Sequence, residues 1–189
     1  MVIGSFKTEG KRGDAIVELN WGKGPKPLFK VEGIRTVQQF CAHLAYMLRA
    51  MEDSRLEESG FYCLACIEPS IPVAAHLPLM AYYIGKAYGQ TLRDRISQKS
   101  GHEVAYQCII DNCYGKQLLL NIANISRTNL EKETEELYND IECCLIYENR
   151  TQPLCNRNCV QSYSGSGRKI NITNSGVCYP LKKECACKG

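Results

Sequence analysis

The chain has 189 residues, of which 44% are hydrophobic and 23% are charged, and its formal net charge is +3. This composition excludes a disordered or collagen-like chain, and the small positive charge excludes the strongly basic surface of a dedicated nucleic-acid-binding protein. Twelve cysteines are present. A reducing compartment does not normally leave so many thiols without a use, so we expect them to be paired with each other or bound to metal.

The N-terminal part predicts a β-hairpin followed by an amphipathic helix. Alternating apolar residues over 15–21 and again over 28–32 predict two strands, and the Gly/Pro-rich segment between them predicts the connecting loop. Thr36 and Gln39 form a capping-box pattern, and apolar residues at spacings of three and four predict a helix over 37–53.

The middle of the chain predicts a second helix, a second hairpin and a third helix. Apolar residues recur every four positions over 78–96, which is typical of a helix. Alternation over 104–110, a turn at 111–115 and an apolar run over 116–122 predict the hairpin. The third helix is expected to begin at Thr128 and to place Cys144 on its apolar face.

The net charge changes sign near Arg150. Residues 127–150 hold three basic and seven acidic side chains, a net charge of −4, whereas residues 151–189 hold six basic and one acidic, a net charge of +5. We therefore divide the chain into an α+β body over 1–126 and a helix plus cysteine-rich basic tail over 127–189. The expected fold is α+β, with a small antiparallel sheet, about three helices and a disulfide-rich C-terminal tail.

The tail contains the most specific cysteine spacing in the chain. Cys155 and Cys159 lie four residues apart, and Cys185 and Cys187 lie two residues apart. Cysteines four apart share one face of a helix and cysteines two apart share one face of a strand, so the two pairs could be cross-linked. With a turn at 174–176, the spacing resembles the cysteine-stabilised αβ pattern of defensins and scorpion toxins, which are secreted host-defence peptides and channel blockers.

This resemblance implies bonds Cys155–Cys185 and Cys159–Cys187, with Cys178 bonded to Cys143 or Cys144. A tail that disulfides simply hold in place explains the same cysteines without defensin-like activity. Over the whole chain, the cysteines that we expect in disulfides are Cys63, Cys66, Cys108, Cys113, Cys143, Cys144, Cys155, Cys159, Cys178, Cys185 and Cys187.

Zinc is the alternative to disulfides for four of these cysteines. Cys63 and Cys66 form a CxxC pair, and Cys108 and Cys113 form a looser second pair, so that four thiolates could surround a tetrahedral zinc ion. No other cofactor is expected, since the sequence contains no P-loop, GxGxxG or HExxH motif.

A cysteine hydrolase is a further alternative. Cys41 and His102 follow each other in the order of nucleophile and base that papain-like amidases and cell-wall hydrolases use. Cys41 also lies on the apolar stripe of the first predicted helix, where a buried and unreactive cysteine is the ordinary outcome. No catalytic residue is therefore assigned beyond this pair.

Three Asn-x-Ser/Thr triplets, at Asn124, Asn149 and Asn171, are candidate glycosylation sites. Together with the even number of cysteines, they favour a secreted, extracellular glycoprotein over an intracellular one. No signal peptide is visible in the sequence, and no apolar run reaches the length of a transmembrane segment.

The leading hypothesis is a secreted, disulfide-stabilised, non-enzymatic effector that acts on a protein or an anionic surface through its basic tail. An intracellular or viral zinc-binding protein that contacts nucleic acid is the rival. If the tail instead docks on the acidic helix, it is structural and the binding face lies elsewhere. The tail residues expected to bind are Arg157, Arg168, Lys169, Lys182, Lys183 and Lys188.

Overall fold

A computed structural model describes residues 13–68, 81–150 and 154–188. Within these residues the chain forms seven strands, four α-helices and a short 3-10 helix, Ser54–Glu57. The strands are β1 (Ala15–Asn20), β2 (Lys26–Lys30), β3 (Gly60–Ile67), β4 (Ala81–Ala87), β5 (Gln117–Thr128), β6 (Ile170–Ser175) and β7 (Glu184–Cys187). The helices are α1 (Val37–Arg49), α2 (Leu92–Ser97), α3 (Glu103–Asn112) and α4 (Glu135–Glu148).

The strands form one seven-stranded sheet in the order β4-β3-β5-β1-β6-β7, and β2 also pairs with β5. The pair β1–β6 is parallel and the other pairs are antiparallel. A mixed fold of helices and strands is confirmed, but the sheet is larger than the small antiparallel sheet expected. The parallel pair joins segments more than 150 residues apart in the chain. No local sequence pattern predicts such a pairing.

The predicted N-terminal hairpin is wrong, although both of its strands exist. β1 and β2 pair with successive parts of β5 and not with each other. Trp21 explains why the chain does not reverse after β1: its backbone N–H donates to the Ser175 carbonyl, and its buried indole donates to Asn174. The chain is held to β6 at this point and continues along the same edge of β5.

Helices cover both faces of the sheet. One apolar core lies under α1, α2 and α3 and includes Tyr62 and Leu120. The other lies under α4 and includes Trp21, Phe61 and Ile172. The first helix is confirmed with its capping box, because Thr36 accepts from the Gln39 N–H while the Gln39 side chain accepts from the Thr36 N–H.

Two predictions in the middle of the chain are wrong. The helix expected over 78–96 is strand β4 followed by the short helix α2, and its first residues, 78–80, lie outside the described residues. The strand expected over 104–110 is helix α3, whereas the strand expected over 116–122 is confirmed as part of β5. β4 is almost entirely buried, so its apolar residues show no strand-like alternation.

The third helix is confirmed but begins later than expected. β5 continues to Thr128, and α4 begins after Thr134, whose hydroxyl accepts from the Leu137 N–H. The boundary proposed at residue 126 falls inside β5, and β6 from the tail pairs with β1 from the body. Both segments therefore contribute strands to the same sheet.

Candidate functional site

The structure contains three disulfides, Cys66–Cys113, Cys108–Cys155 and Cys143–Cys159. Disulfide bonding is thus confirmed, but the pairs that the defensin-like resemblance implies are wrong. Residues 155–159 do not form a helix, so their cysteines cannot present one face to the strand that holds Cys185 and Cys187. Instead, the segment lies along β4, where the Cys155 N–H donates to the Tyr82 carbonyl and Asn156 bonds both backbone groups of Ile84.

Six cysteines carry free, buried thiols in the structure, and five of them are among the eleven residues expected to be paired. These five are Cys63, Cys144, Cys178, Cys185 and Cys187. The sixth free thiol is Cys41. Burial raises the pKa of Cys185 to about 12 and also raises the pKa of Cys63, so neither is a reactive thiolate at neutral pH.

The CxxC pair does not fit a zinc knuckle. Both cysteines lie on β3, where side chains three positions apart point to opposite faces. Cys66 accordingly joins the core under α1–α3 and bonds Cys113, while Cys63 lies in the core under α4. In the part of the chain that the structure describes, no group of three or more His, Cys, Asp or Glu side chains could hold a metal ion.

Cys41 and His102 do not form a nucleophile–base pair. The Nδ1 atom of His102 lies 2.8 Å from the Gln98 carbonyl oxygen, and Nε2 lies 2.7 Å from the Tyr62 hydroxyl. Both ring nitrogens therefore have partners other than a thiol. Burial lowers the pKa of His102 to about 4 and raises the pKa of Cys41, and both directions oppose the ion pair that a cysteine hydrolase needs.

The three candidate glycosylation sites differ in accessibility. Asn149 is 3% exposed, and its Nδ2 donates to the Leu145 carbonyl, so the folded protein leaves no room for a glycan there. Asn124 is half-buried and its Nδ2 donates to the Ser59 carbonyl. Asn171 lies on the outward side of β6 and is half-exposed. The geometry thus leaves Asn171 as the accessible acceptor of the three.

The basic tail docks against the acidic helix and the neighbouring strands. Lys182 pairs with Glu148 of α4 at 3.2 Å, and Ser166 donates its N–H and hydroxyl to the carboxylate of Asp140, also on α4. The other basic tail residues differ in their contacts and in their exposure to solvent. Lys169 pairs with Asp14 at 3.3 Å, Lys183 donates to the Gly176 carbonyl, Arg168 is half-buried, and Arg157 and Lys188 are exposed.

Arg157 lines two adjoining clefts, each of about 790 Å³. The first cleft runs between the start of α3, α4 and residues 155–166, with Tyr83 of β4 on its wall. The second runs between the start of α1, α3 and residues 154–157. Both volumes fall in the range of ordinary ligand-binding pockets, about 300–1,000 Å³.

Disulfides fix the segment that carries Arg157. Cys155, two residues before it, is bonded to Cys108 of α3, and Cys159, two residues after it, is bonded to Cys143 of α4. The Arg157 backbone is therefore held at both sides while its side chain is exposed.

The two clefts differ in chemistry. The first contains four carboxylates, and burial raises the pKa of one of them, Glu142, to about 7, although Lys86 lies 4.0 Å away. The second combines the apolar side chains of Val37, Val104 and Leu154 with charged side chains. A partner that occupies both clefts would therefore contact the positive charge of Arg157, the carboxylates of the first cleft and the apolar side chains of the second.

The charge of the tail makes Arg157 one of six candidate binding residues, but the sequence analysis missed the walls that α3 contributes to the clefts. The residues that line the clefts from α3, such as Glu103 and Val104, were assigned to a strand. A helical signal was present, because the buried residues Ala105, Tyr106, Ile109 and Ile110 recur at spacings of three and four.

No known protein family, curated protein or solved structure matches the chain in sequence or fold comparisons. Among the described residues, no helix is both long and apolar enough to span a lipid bilayer.

Proposed function

We propose that the protein is a non-enzymatic binding protein of an oxidising, extracellular compartment that recognises a protein partner through the surface around Arg157. The observation that carries the proposal is the double anchoring of residues 155–159: one disulfide to α3 and one to α4 hold the segment whose exposed arginine lines both clefts. This refines the expectation of a basic binding tail, since it assigns recognition to one tail residue rather than to the tail as a whole.

The anchoring favours binding because a surface that is already ordered does not lose conformational entropy when a partner docks. Arginine is also among the residues that contribute most to protein–protein affinity, since its planar guanidinium can bond a carboxylate through two N–H groups. We therefore propose a partner segment that carries an acidic side chain for Arg157 and places neighbouring side chains in the two clefts.

Lys169 and Lys182, two of the other basic tail residues, have contacts that support a structural role better than a binding role. Lys182 and Lys169 pair with Glu148 and Asp14, and Arg168 is half-buried. The two ion pairs engage the charges of Lys182 and Lys169 within the molecule, so these residues contribute less to a continuous cationic surface. This argues for a protein partner rather than an anionic lipid surface.

The test is selection of peptides from a displayed random library on the oxidised protein, followed by affinity measurement on Arg157→Glu and Lys188→Glu. Both residues are exposed tail cations, so the two variants change the net charge equally. We expect selected peptides to be acidic, to lose at least about tenfold in affinity on Arg157→Glu, and to bind Lys188→Glu almost unchanged.

Vesicles of anionic phospholipid and immobilised heparin serve as the second arm of this experiment. Equal loss of peptide binding in both variants, or strong binding to vesicles or heparin that both substitutions weaken equally, would overturn the proposal and favour a diffuse electrostatic surface instead.

A further inference from the structure

The adjacent cysteines of α4, Cys143 and Cys144, face different parts of the molecule. Neighbouring residues on an α-helix point about 100° apart around its axis. Cys143 is bonded to Cys159 in the segment beside the clefts. Cys144 is fully buried on the side of α4 that packs on the sheet, in the same core as the cysteines of β7.

The strand β7 presents Cys185 and Cys187 to this core on one face. Cys187 is the one beside Cys144: its Sγ lies 4.0 Å from the Cys144 carbonyl oxygen, and the two thiols are close enough to shift each other's pKa. Cys185 lies about one helical turn further on, where its Sγ is 3.8 Å from Nδ2 of Asn149. The register of β7 against α4 therefore pairs Cys144 with Cys187 and leaves Cys185 against an amide.

We infer that Cys144 and Cys187 are the site of a fourth disulfide that bonds α4 to β7. In the reaction the two thiols lose two protons and two electrons and form one S–S bond. A low-molecular-weight disulfide of the glutathione class accepts the two electrons and the two protons as its own S–S bond breaks to give two thiols. The exchange proceeds through a mixed disulfide on one protein cysteine, which the other then attacks.

The environment of the two thiols assigns the order of attack. Cys187 is the less buried of the two thiols, at 3% exposed against 0% for Cys144. Contact with the Cys144 thiol lowers the pKa of Cys187, and Arg150 and Lys182 act in the same direction, against burial and the negative charge of Glu148. We therefore expect the small disulfide to react first with Cys187, and Cys144 to be the resolving thiol.

The bond would hold the outermost strand at one side of the sheet. Among the described strands, β7 pairs with β6 alone. Four residues of edge strand contribute few backbone hydrogen bonds, so a covalent link to α4 would restrict local opening of this edge. Together with Cys143–Cys159, it would bond α4 to two separate parts of the tail through consecutive residues.

The experiment counts free thiols by intact mass after refolding in oxidised and reduced glutathione, denaturation and alkylation with iodoacetamide. Six cysteines are unpaired in the structure, so the proposed bond leaves four alkylated cysteines in the wild type. Cys187→Ser releases Cys144 and should give five, whereas the matched variant Cys185→Ser, two residues away on the same strand face, should give three.

Six alkylated cysteines in the wild type, with five in each variant, would overturn the inference. A peptide map that links Cys187 to any cysteine other than Cys144, or a glutathione adduct that persists on either thiol, would overturn it as well. Detection of the three other disulfides in each map verifies that the variant has folded, and Cys144→Ser, with five alkylated cysteines expected, replaces Cys187→Ser if that variant fails this check.

Discussion

His102 is a buried imidazole whose hydrogen bonds determine its charge. A carbonyl oxygen only accepts, so Nδ1 must donate its proton to Gln98, and Nε2 is then left to accept from the Tyr62 hydroxyl. Protonation of Nε2 would require the Tyr62 hydroxyl to accept in place of donating and would put a charge among aromatic rings, including that of Tyr106, which stacks on the imidazole at 4.7 Å. The neutral ring is therefore part of the core.

This arrangement predicts a loss of stability in acid. The folded-state pKa of His102 is about 4, below the ordinary value of 6.5, because of burial and, more weakly, the positive charge of Arg95. The unfolded chain binds a proton below pH 6.5 and the folded protein does not, so stability is present above pH 6.5 and falls as the pH approaches 4. Between pH 7 and pH 4.5 we expect the free energy of unfolding of His102→Gln to fall by about 2 kcal/mol less than that of the wild type. Chemical denaturation at both pH values measures this difference.

His43→Gln is the control, since His43 is exposed on α1. Glu142 acts in the opposite direction: its raised pKa, about 7, means that the folded protein keeps a proton that the unfolded chain releases, so its contribution is lost as the pH rises through 7. This contribution is common to the wild type and both histidine variants. A pH profile that is the same in the wild type and in His102→Gln would contradict the prediction.

Asn174 connects the single tryptophan to the tail. Its Oδ1 accepts from the Trp21 indole at 2.7 Å, and its Nδ2 donates to the Lys182 carbonyl at 2.7 Å. Asn174→Ala removes the side-chain partner of the Trp21 indole N–H and of the Lys182 carbonyl. We therefore expect a loss of about 3 kcal/mol in the free energy of unfolding. Tryptophan fluorescence during denaturation measures it, and Thr173→Ala, at the exposed neighbouring position, should change stability by under about 0.5 kcal/mol.

At the scale of single elements, α1 shows where a sequence pattern predicts structure and β3 shows where it does not. α1 has a capping box and one apolar stripe, and both are found as expected. β3 was not predicted at all, because every one of its residues is buried and the pattern has no period of two. Its CxxC pair then suggested a zinc knuckle, although side chains three positions apart on a strand point to opposite faces of the sheet.

Gly85 shows how β4 differs from the helix that was expected there. It lies opposite Tyr62 in the β3–β4 pair, and a Cβ at this position would lie 2.4 Å from the tyrosine ring. The glycine makes room for the ring that bonds His102. We expect Gly85→Ala to displace Tyr62 and to reduce the free energy of unfolding by about 2 kcal/mol.

Gly13→Ala is the matched control, because a Cβ there meets no atom within 4 Å. Chemical denaturation of both variants measures the difference, and the acid sensitivity of Gly85→Ala provides a second readout, since a displaced Tyr62 no longer bonds Nε2 of His102. Equal stability of the two variants would show that the ring does not need the space.

At the scale of the whole molecule, sequence alone could not predict which distant segments meet. The parallel pairing of β1 with β6 and the position of the tail along β4 depend on contacts between residues far apart in the chain. The change of charge sign near Arg150 was informative, since it suggested internal docking of the tail on the acidic helix as one alternative, and the Lys182–Glu148 pair agrees with it. The disulfide pairs could not be deduced, because cysteine spacing does not specify connectivity.

The disulfide Cys108–Cys155 is expected to act on stability and on the binding surface together. It closes a sequence separation of 47 residues, which corresponds to about 4 kcal/mol of loop-closure entropy. It also fixes the segment of Arg157 to α3. We expect the double variant Cys108→Ala/Cys155→Ala to unfold at lower denaturant concentration and to show faster amide hydrogen exchange over residues 154–159 under native conditions.

Cys66→Ala/Cys113→Ala separates these two effects. Its disulfide spans the same separation of 47 residues but bonds β3 to the residue after α3 and includes no residue of the segment 154–159. We therefore expect a comparable loss of stability in this double variant, while exchange over 154–159 keeps its wild-type rate once both are compared under conditions in which they are folded. Faster exchange of this segment in both double variants would mean that the order around Arg157 comes from global stability and not from its own covalent anchor.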